Sequence, residues 1–477
     1  MAHKIGLNNV RLCGGLFLCI WLAGASQALN GQSPMTMERN RGRVMYEIAV
    51  VRDNLKKDPS DEKARLELAK GLYQVGSIAE SRQTLQPLLA SAKPSLEAVF
   101  LGADLEYLQG NYDQAEALLE RAMALKPKDD DVQLKAQTKL VYVYYQTNQF
   151  AKAQGLFKGL ESRIKLPYWD LLKAFGQEKP YEITWPANAQ KTDIPFLMTD
   201  PLPVISVEIQ GRQIYAFIDT GGDTFVLDPE AAASLGIKPL VSMTGTFAGG
   251  KKAEVGLGKA DSLKIGDVTM TSVPISLLPT ARFSEGLTGG KYSLAGIVGT
   301  GVLKQFLATI DYVNGRLTLR PRTEAGKATL RAELKGRTIV EMPFIMASTH
   351  FMLTRGSLND KQNMTFCVDS GLASEAAFAA PEATLHYAGI EIPETNVKEG
   401  NIGGGGGAGF ATGQFPIREL GLGPLTQKNL KGSYGVTPPT AYWGLGLIED
   451  GLISHQFLRR YSWTIDFAEM TMIFALK

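Results

Sequence analysis

An apolar run, Tyr215-Ala216-Phe217-Ile218, ends abruptly in Asp219-Thr220-Gly221, and 150 positions later Thr365-Phe366-Cys367-Val368 ends in Asp369-Ser370-Gly371. Each run has the length and apolarity of a buried strand. A buried strand that ends in a carboxylate must find that charge a partner or a use. A second duplication shows how much of the chain goes with each unit. Gly296-Ile297-Val298-Gly299, followed by Val302 to Tyr312, aligns without gaps at a shift of 155 with Gly451-Leu452-Ile453-Ser454, followed by Phe457 to Phe467. Both copies contain Thr-Ile-Asp, at Thr309-Ile310-Asp311 and Thr464-Ile465-Asp466. Two lobes therefore share one plan: strand, Asp-[Thr/Ser]-Gly, glycine-rich hairpin, apolar-glycine segment, short helix and closing strand.

With 477 residues, 44% apolar and 21% charged, the chain has globular composition and length for two or three domains. Lys4 and Arg11 precede the nearly unbroken apolar stretch Leu12 to Gly24, and Ala25-Ser26-Gln27-Ala28 supplies the small residues of a signal-peptidase site. Residues 1–28 are expected to be a cleaved signal peptide, the alternative being an N-terminal anchor. Leu12 to Ala28 lies at the short end of the roughly 17–25 residues that span a bilayer. Taking Lys4 and Arg11 from the 50 basic residues leaves them equal in number to the 48 acidic ones. A neutral mature chain gives no charge argument for nucleic acid or a membrane surface. Of three cysteines, only Cys367 lies beyond the leader, so no internal disulfide is expected. That suits a periplasmic or secreted protein, and Cys367 is read as a small buried hydrophobe.

From about Arg39 to Phe157, Ala, Leu, Glu, Lys and Gln dominate at helical spacing. Tyr73-Gln74-Val75-Gly76 matches Tyr107-Leu108-Gln109-Gly110 at a shift of 34, and Tyr145-Gln146-Thr147-Asn148 at a further 38. A period near 34 marks helix-turn-helix repeats. The middle unit, ending Glu120 to Pro127 with small Ala115 and Ala122, resembles the tetratricopeptide repeat. The resemblance implies a small helical solenoid over residues 39–175 that docks a protein partner or substrate; a helical spacer without a ligand is the alternative. Residues 158–190, punctuated by Pro167, Pro180 and Pro186, read as a linker.

The β-rich remainder, from about Asp193 to Lys477, resembles the pepsin and retropepsin superfamily. Asp219-Thr220-Gly221-Gly222-Asp223-Thr224-Phe225-Val226-Leu227 is similar to the retroviral form, and Gly296 to Leu303 to its apolar-glycine partner. The fold implied is multidomain: all-α tetratricopeptide-like repeats, then an all-β bilobed acid-protease fold with lobes at 190–325 and 335–477. Both lobes on one chain give a site that needs no dimer.

Hydrolysis of an amide without metal or covalent intermediate needs one carboxylate to take a proton from water and another to give one. Two close carboxyls share a proton and titrate together. Asp219 and Asp369 are the candidate dyad, and the implied activity is that of an aspartic endopeptidase. Gly221 and Gly371 permit a tight turn; by resemblance, the Thr220 and Ser370 hydroxyls lock the two loops across the lobe interface. Met243 to Gly250, with Gly245 and Phe247, is placed to form a substrate-covering flap; Gly403 to Gly407 with Phe410 forms either its counterpart or a loose loop. Asp223 is a candidate contact for substrate backbone. The sequence departs from the retropepsin pattern at Thr300, where an arginine is usual, and at Ser454, where the motif has glycine. No cofactor is expected, and His350, His386 and His455 lie in no metal-ligand motif. The rival expectation is a non-catalytic peptide- or protein-binding protein built on a degenerate acid-protease fold.

Overall fold

The computed structural model describes residues 16–17, 41–437 and 446–476. The expected leader lies outside them, apart from Leu16 and Phe17, which pair in parallel with Gly403 and Gly404.

The helical part runs Arg41–Lys57, Glu62–Gln74, Ile78–Ala90, Leu96–Leu108, Tyr112–Leu125 and Asp130–Gln146, then a 3-10 segment Phe150–Gly155 and the helix Pro167–Phe175. Three starts carry side-chain caps: Asp61 accepts from the Ala64 amide at 2.8 Å, Ser95 from Ala98 at 3.2 Å and Asp129 from Val132 at 3.1 Å. Within each repeat the two helices are joined by a left-handed residue at the aligned position, Gly76, Gly110 and Asn148 with φ of 74°, 77° and 58°. The linker expected over 158–190 is corrected in part: Pro167 sits in the first turn of a helix, where its missing N–H costs nothing. That helix buries Tyr168, Trp169, Leu171, Leu172 and Phe175.

The β part is two lobes and a shared sheet. In the first lobe Leu294–Val298 threads between Phe225–Leu227, antiparallel, and Arg212–Ile218, parallel, with Ile297 opposite Phe217 and Val298 opposite Ile218. The second lobe repeats this: Gly451–Ile453 lies between Phe378–Ala380 and Lys361–Val368, with Leu452 opposite Cys367 and Ile453 opposite Val368. A six-stranded sheet joins the lobes through Leu307–Asp311 and Ser462–Asp466, the two Thr-Ile-Asp strands. They pair antiparallel with Thr309 opposite Thr464, and the two hydroxyls hydrogen-bond at 2.7 Å. Equivalent residues meeting each other mark a local two-fold axis.

The turn edge of the helical repeats packs directly on the β part. Arg41, at the start of the first helix, is buried and holds the Asp450 carboxylate through Nε at 3.0 Å and through Nη2. The Val75 carbonyl accepts from Arg355 at 2.7 Å, and the Ile448 amide donates to the Gln74 carbonyl at 2.7 Å. Gln146 donates to the Thr349 carbonyl at 2.9 Å, and Asn148 to the Gln305 side chain at 2.9 Å. Helical and β residues share apolar clusters, with Leu171 and Leu172 in the same cluster as Phe217, Phe247 and Ile297.

Removing one half of a buried ion pair strands the other charge, at a cost of about 3–5 kcal/mol. Arg41→Ala is therefore expected to lower unfolding free energy by that order in urea denaturation. Lys56→Ala, which removes the exposed Lys56–Asp53 pair, should change it far less.

Candidate active site

Each aspartate is delivered by its strand and then pinned by backbone. The Asp219 amide donates to the Val298 carbonyl at 3.0 Å and the Asp369 amide to Ile453 at 2.9 Å. The loops then curl back, so that the Gly221 amide donates to Asp219 Oδ1 at 2.7 Å and the Gly371 amide to Asp369 Oδ1 at 2.9 Å. Across the lobe interface the Thr220 amide donates to Ser370 Oγ at 3.0 Å, and the Ser370 amide to Thr220 Oγ1 at 2.9 Å. Thr220 Oγ1 in turn donates to the Val368 carbonyl at 2.9 Å.

This lock brings the two carboxyls together. A Cβ added at Gly221 would lie 2.7 Å from Asp369 Oδ1, and one at Gly371 would collide with the Asp219 carboxyl. Each glycine is thus packed against the acid of the opposite lobe, and no larger residue fits. Both aspartates are fully buried. No described donor reaches Asp219 Oδ2. Burial first, and the Asp369 charge second, push the Asp219 carboxyl well above the usual carboxylate range. A single proton held between the two carboxyls relieves both effects.

The flap residues are closed over one another. Gly245 lies against the Phe247 ring, and Phe247 is fully buried in the cluster that holds Phe217 and Ile297. The glycine run is the tip of a hairpin, with Gly404 opposite Gly407 between strands Asn396–Gly404 and Gly407–Leu422. That tip abuts the first flap: Gly405 meets Phe247, Gly249 meets Phe410, and Arg282 donates to the Gly405 carbonyl at 2.5 Å.

Asp223 faces the helical part. Tyr168 donates to its Oδ2 at 2.6 Å and Tyr145 to its Oδ1 at 3.1 Å, so a substrate backbone would have to displace two tyrosines to reach it. Thr300 offers no cation where the retropepsin pattern has arginine; Lys304 stands at the C-terminal end of the same short helix, Thr300–Leu303. Lys304 is buried, lies 5.1 Å over the Tyr145 ring, donates to Gln146 at 2.9 Å, and interacts electrostatically with Asp223. Burial holds its ammonium down to about 8. Thr300 donates instead to the Thr220 carbonyl at 2.8 Å, and Ser454 to the Ala376 carbonyl at 2.6 Å, so both departures from the pattern make hydrogen bonds here. His350 is fully buried, 4.0 Å from Asp223, and desolvation holds it down to about 4. Tyr145 shares its repeat position with Tyr73 and Tyr107, a sequence signal that pointed to the helix turn but not to a carboxylate 78 residues on. Nothing in the sequence singled out Tyr168 or Lys304.

Residues 205–300 match the family model of aspartyl proteases, and residues 106–174 that of the tetratricopeptide repeat. The first β lobe is thus similar to aspartyl proteases over those residues, and the second half of the helical part to the tetratricopeptide repeat. Among solved structures, a retropepsin-like aspartic protease from Rickettsia conorii is similar at 16% identity, over 30% of this chain and 94% of that chain, with a TM-score of 0.21. No curated protein matches the chain.

A carboxyl whose folded pKa is raised stabilises the fold fully only below its unfolded value, about 3.9 for Asp. That stability is lost as pH rises through the folded value. Asp219→Asn should therefore match the wild type in stability below about pH 4 and exceed it increasingly at higher pH, as read by urea denaturation across a pH series.

Proposed function

We propose that the protein is an aspartic endopeptidase whose Asp219/Asp369 dyad hydrolyses peptide bonds by activating water. The observation that supports this most is the reciprocal packing of each motif glycine against the other lobe's carboxyl, with the Asp219 carboxyl held above its usual range. In this reading the shared proton rests on Asp219. Asp369 takes a proton from water as its oxygen attacks the carbonyl carbon, and Asp219 protonates the carbonyl oxygen. The resulting tetrahedral diol then collapses: a proton passes to the departing nitrogen, the C–N bond breaks, and the dyad regains its single proton. Substrate enters when the Phe247 and Gly405 flaps part.

The helical repeats form one wall of the cleft, and we assign them the docking of the substrate's flanking chain or of a partner. The leader-like N-terminus supports export to the periplasm or beyond. Closure of the flaps and the complete burial of both aspartates favour a second reading, a peptide-binding protein that does not cleave.

Asp219→Asn and Asp369→Asn, assayed singly on an unstructured protein from acid to neutral pH, separate the two. The peptidase reading expects each to lose at least about a thousandfold in kcat/KM, since neither acid nor base can be spared. Wild-type protein that is folded yet inactive throughout that range overturns it.

A further inference from the structure

The two walls of the cleft are unlike at the positions that the internal two-fold relates. Residues two apart on a strand share a face, so Phe217 lies on the face of Asp219, and Cys367 on that of Asp369. The shift of 150 therefore replaces Phe217 by Cys367, and the shift of 155 replaces Leu294 by Glu449 and Ile297 by Leu452. Phe217, Leu294 and Ile297 pack in one apolar cluster with Phe247 of the flap. On the second wall a buried thiol, in one apolar cluster with Leu353, Leu372 and Leu452, stands in place of the phenylalanine, and a carboxyl stands where the first wall has leucine.

Glu449 has no exposure, and neither of its oxygens has a hydrogen-bond partner. It lies just before the strand Gly451–Ile453, whose Leu452 pairs with Cys367 two residues from Asp369, and its charge is felt at both Asp369 and Cys367. Its neighbour Asp450 is satisfied by Arg41 and by the Thr365 amide at 2.7 Å. Arg355 donates to the Val75 carbonyl and to Thr365. A buried polar group left unsatisfied is unfavourable and calls for a partner. Desolvation holds the Glu449 carboxyl well above its ordinary range, which disfavours its charged form until a cation arrives.

We propose that Glu449 forms an acidic specificity pocket beside Asp369 that opens as the flaps part and accepts the lysine or arginine side chain of a peptide substrate. The substrate preference rests on the peptidase reading above, whereas the pocket itself does not. On binding, the carboxyl ionises and pairs with the ammonium or guanidinium, which satisfies both of its oxygens.

The test uses full-length protein and short peptides in which one lysine is walked through each position, with norleucine in its place as the uncharged control. Wild type is expected to cleave the best lysine peptide with kcat/KM at least about tenfold above its norleucine twin. Glu449→Gln should bring that ratio to about one, and Glu449→Leu should invert it. Binding of the same peptides to Asp219→Asn, with and without Glu449→Gln, is followed by fluorescence anisotropy. Cleavage without a lysine preference, or a preference that survives Glu449→Gln, overturns the pocket and leaves the peptidase standing. Selective, Glu449-dependent binding of lysine peptides without cleavage overturns the peptidase and leaves the pocket. Neither cleavage nor selective binding overturns both.

Discussion

The reciprocal bonds between Thr220 and Ser370 are the contact on which the site depends. Each hydroxyl accepts the other loop's amide in a fully buried place, where an unpaired donor is expensive. The lobes therefore cannot slide relative to one another without breaking both bonds together. The separation of Asp219 and Asp369 is consequently set by backbone rather than by long side chains. The Thr309–Thr464 pair repeats the same logic in the shared sheet, so the symmetry axis is tied at two levels.

Around this fixed centre the helical repeats pack against both lobes. Their turn edge, where Gly76, Gly110 and Asn148 adopt left-handed conformations, is pressed onto the β part by Arg41, Gln146 and Tyr145. The apolar clusters run through the boundary without a break in chemistry: the leucines of Pro167–Phe175 and the flap Phe247 belong to one core. Solenoid and cleft are thus coupled physically, because displacing the repeats uncovers Asp223 and the floor of the first lobe together.

Much of this was legible in the sequence because it was written twice. The shift of 150 between Asp219 and Asp369 and that of 155 between the Thr-Ile-Asp strands identify the lobes, and the 34-residue period identifies the helices. What stayed hidden depends on contacts between parts far apart in the chain. A tyrosine on an amphipathic helix looks like core whether it meets a leucine or the Asp223 carboxylate, and Lys304 looks like a surface lysine until Gln146 and Tyr145 enclose it. Pro167 misled for a local reason: proline ends helices and also starts them, and only burial of the following residues tells which. Glu449 gave no signal, because alignment of the two lobes was carried by the glycine and apolar positions that follow it.

Unlike walls have a consequence for direction. A cleft with true two-fold symmetry presents the same surroundings to an extended chain threaded either way, so it cannot tell the amino end from the carboxyl end. Here the positions that hold Phe217 and Leu294 in the first lobe hold Cys367 and Glu449 in the second. A peptide bound as proposed would have one favoured polarity, and joining both lobes in a single chain is what allows the walls to differ.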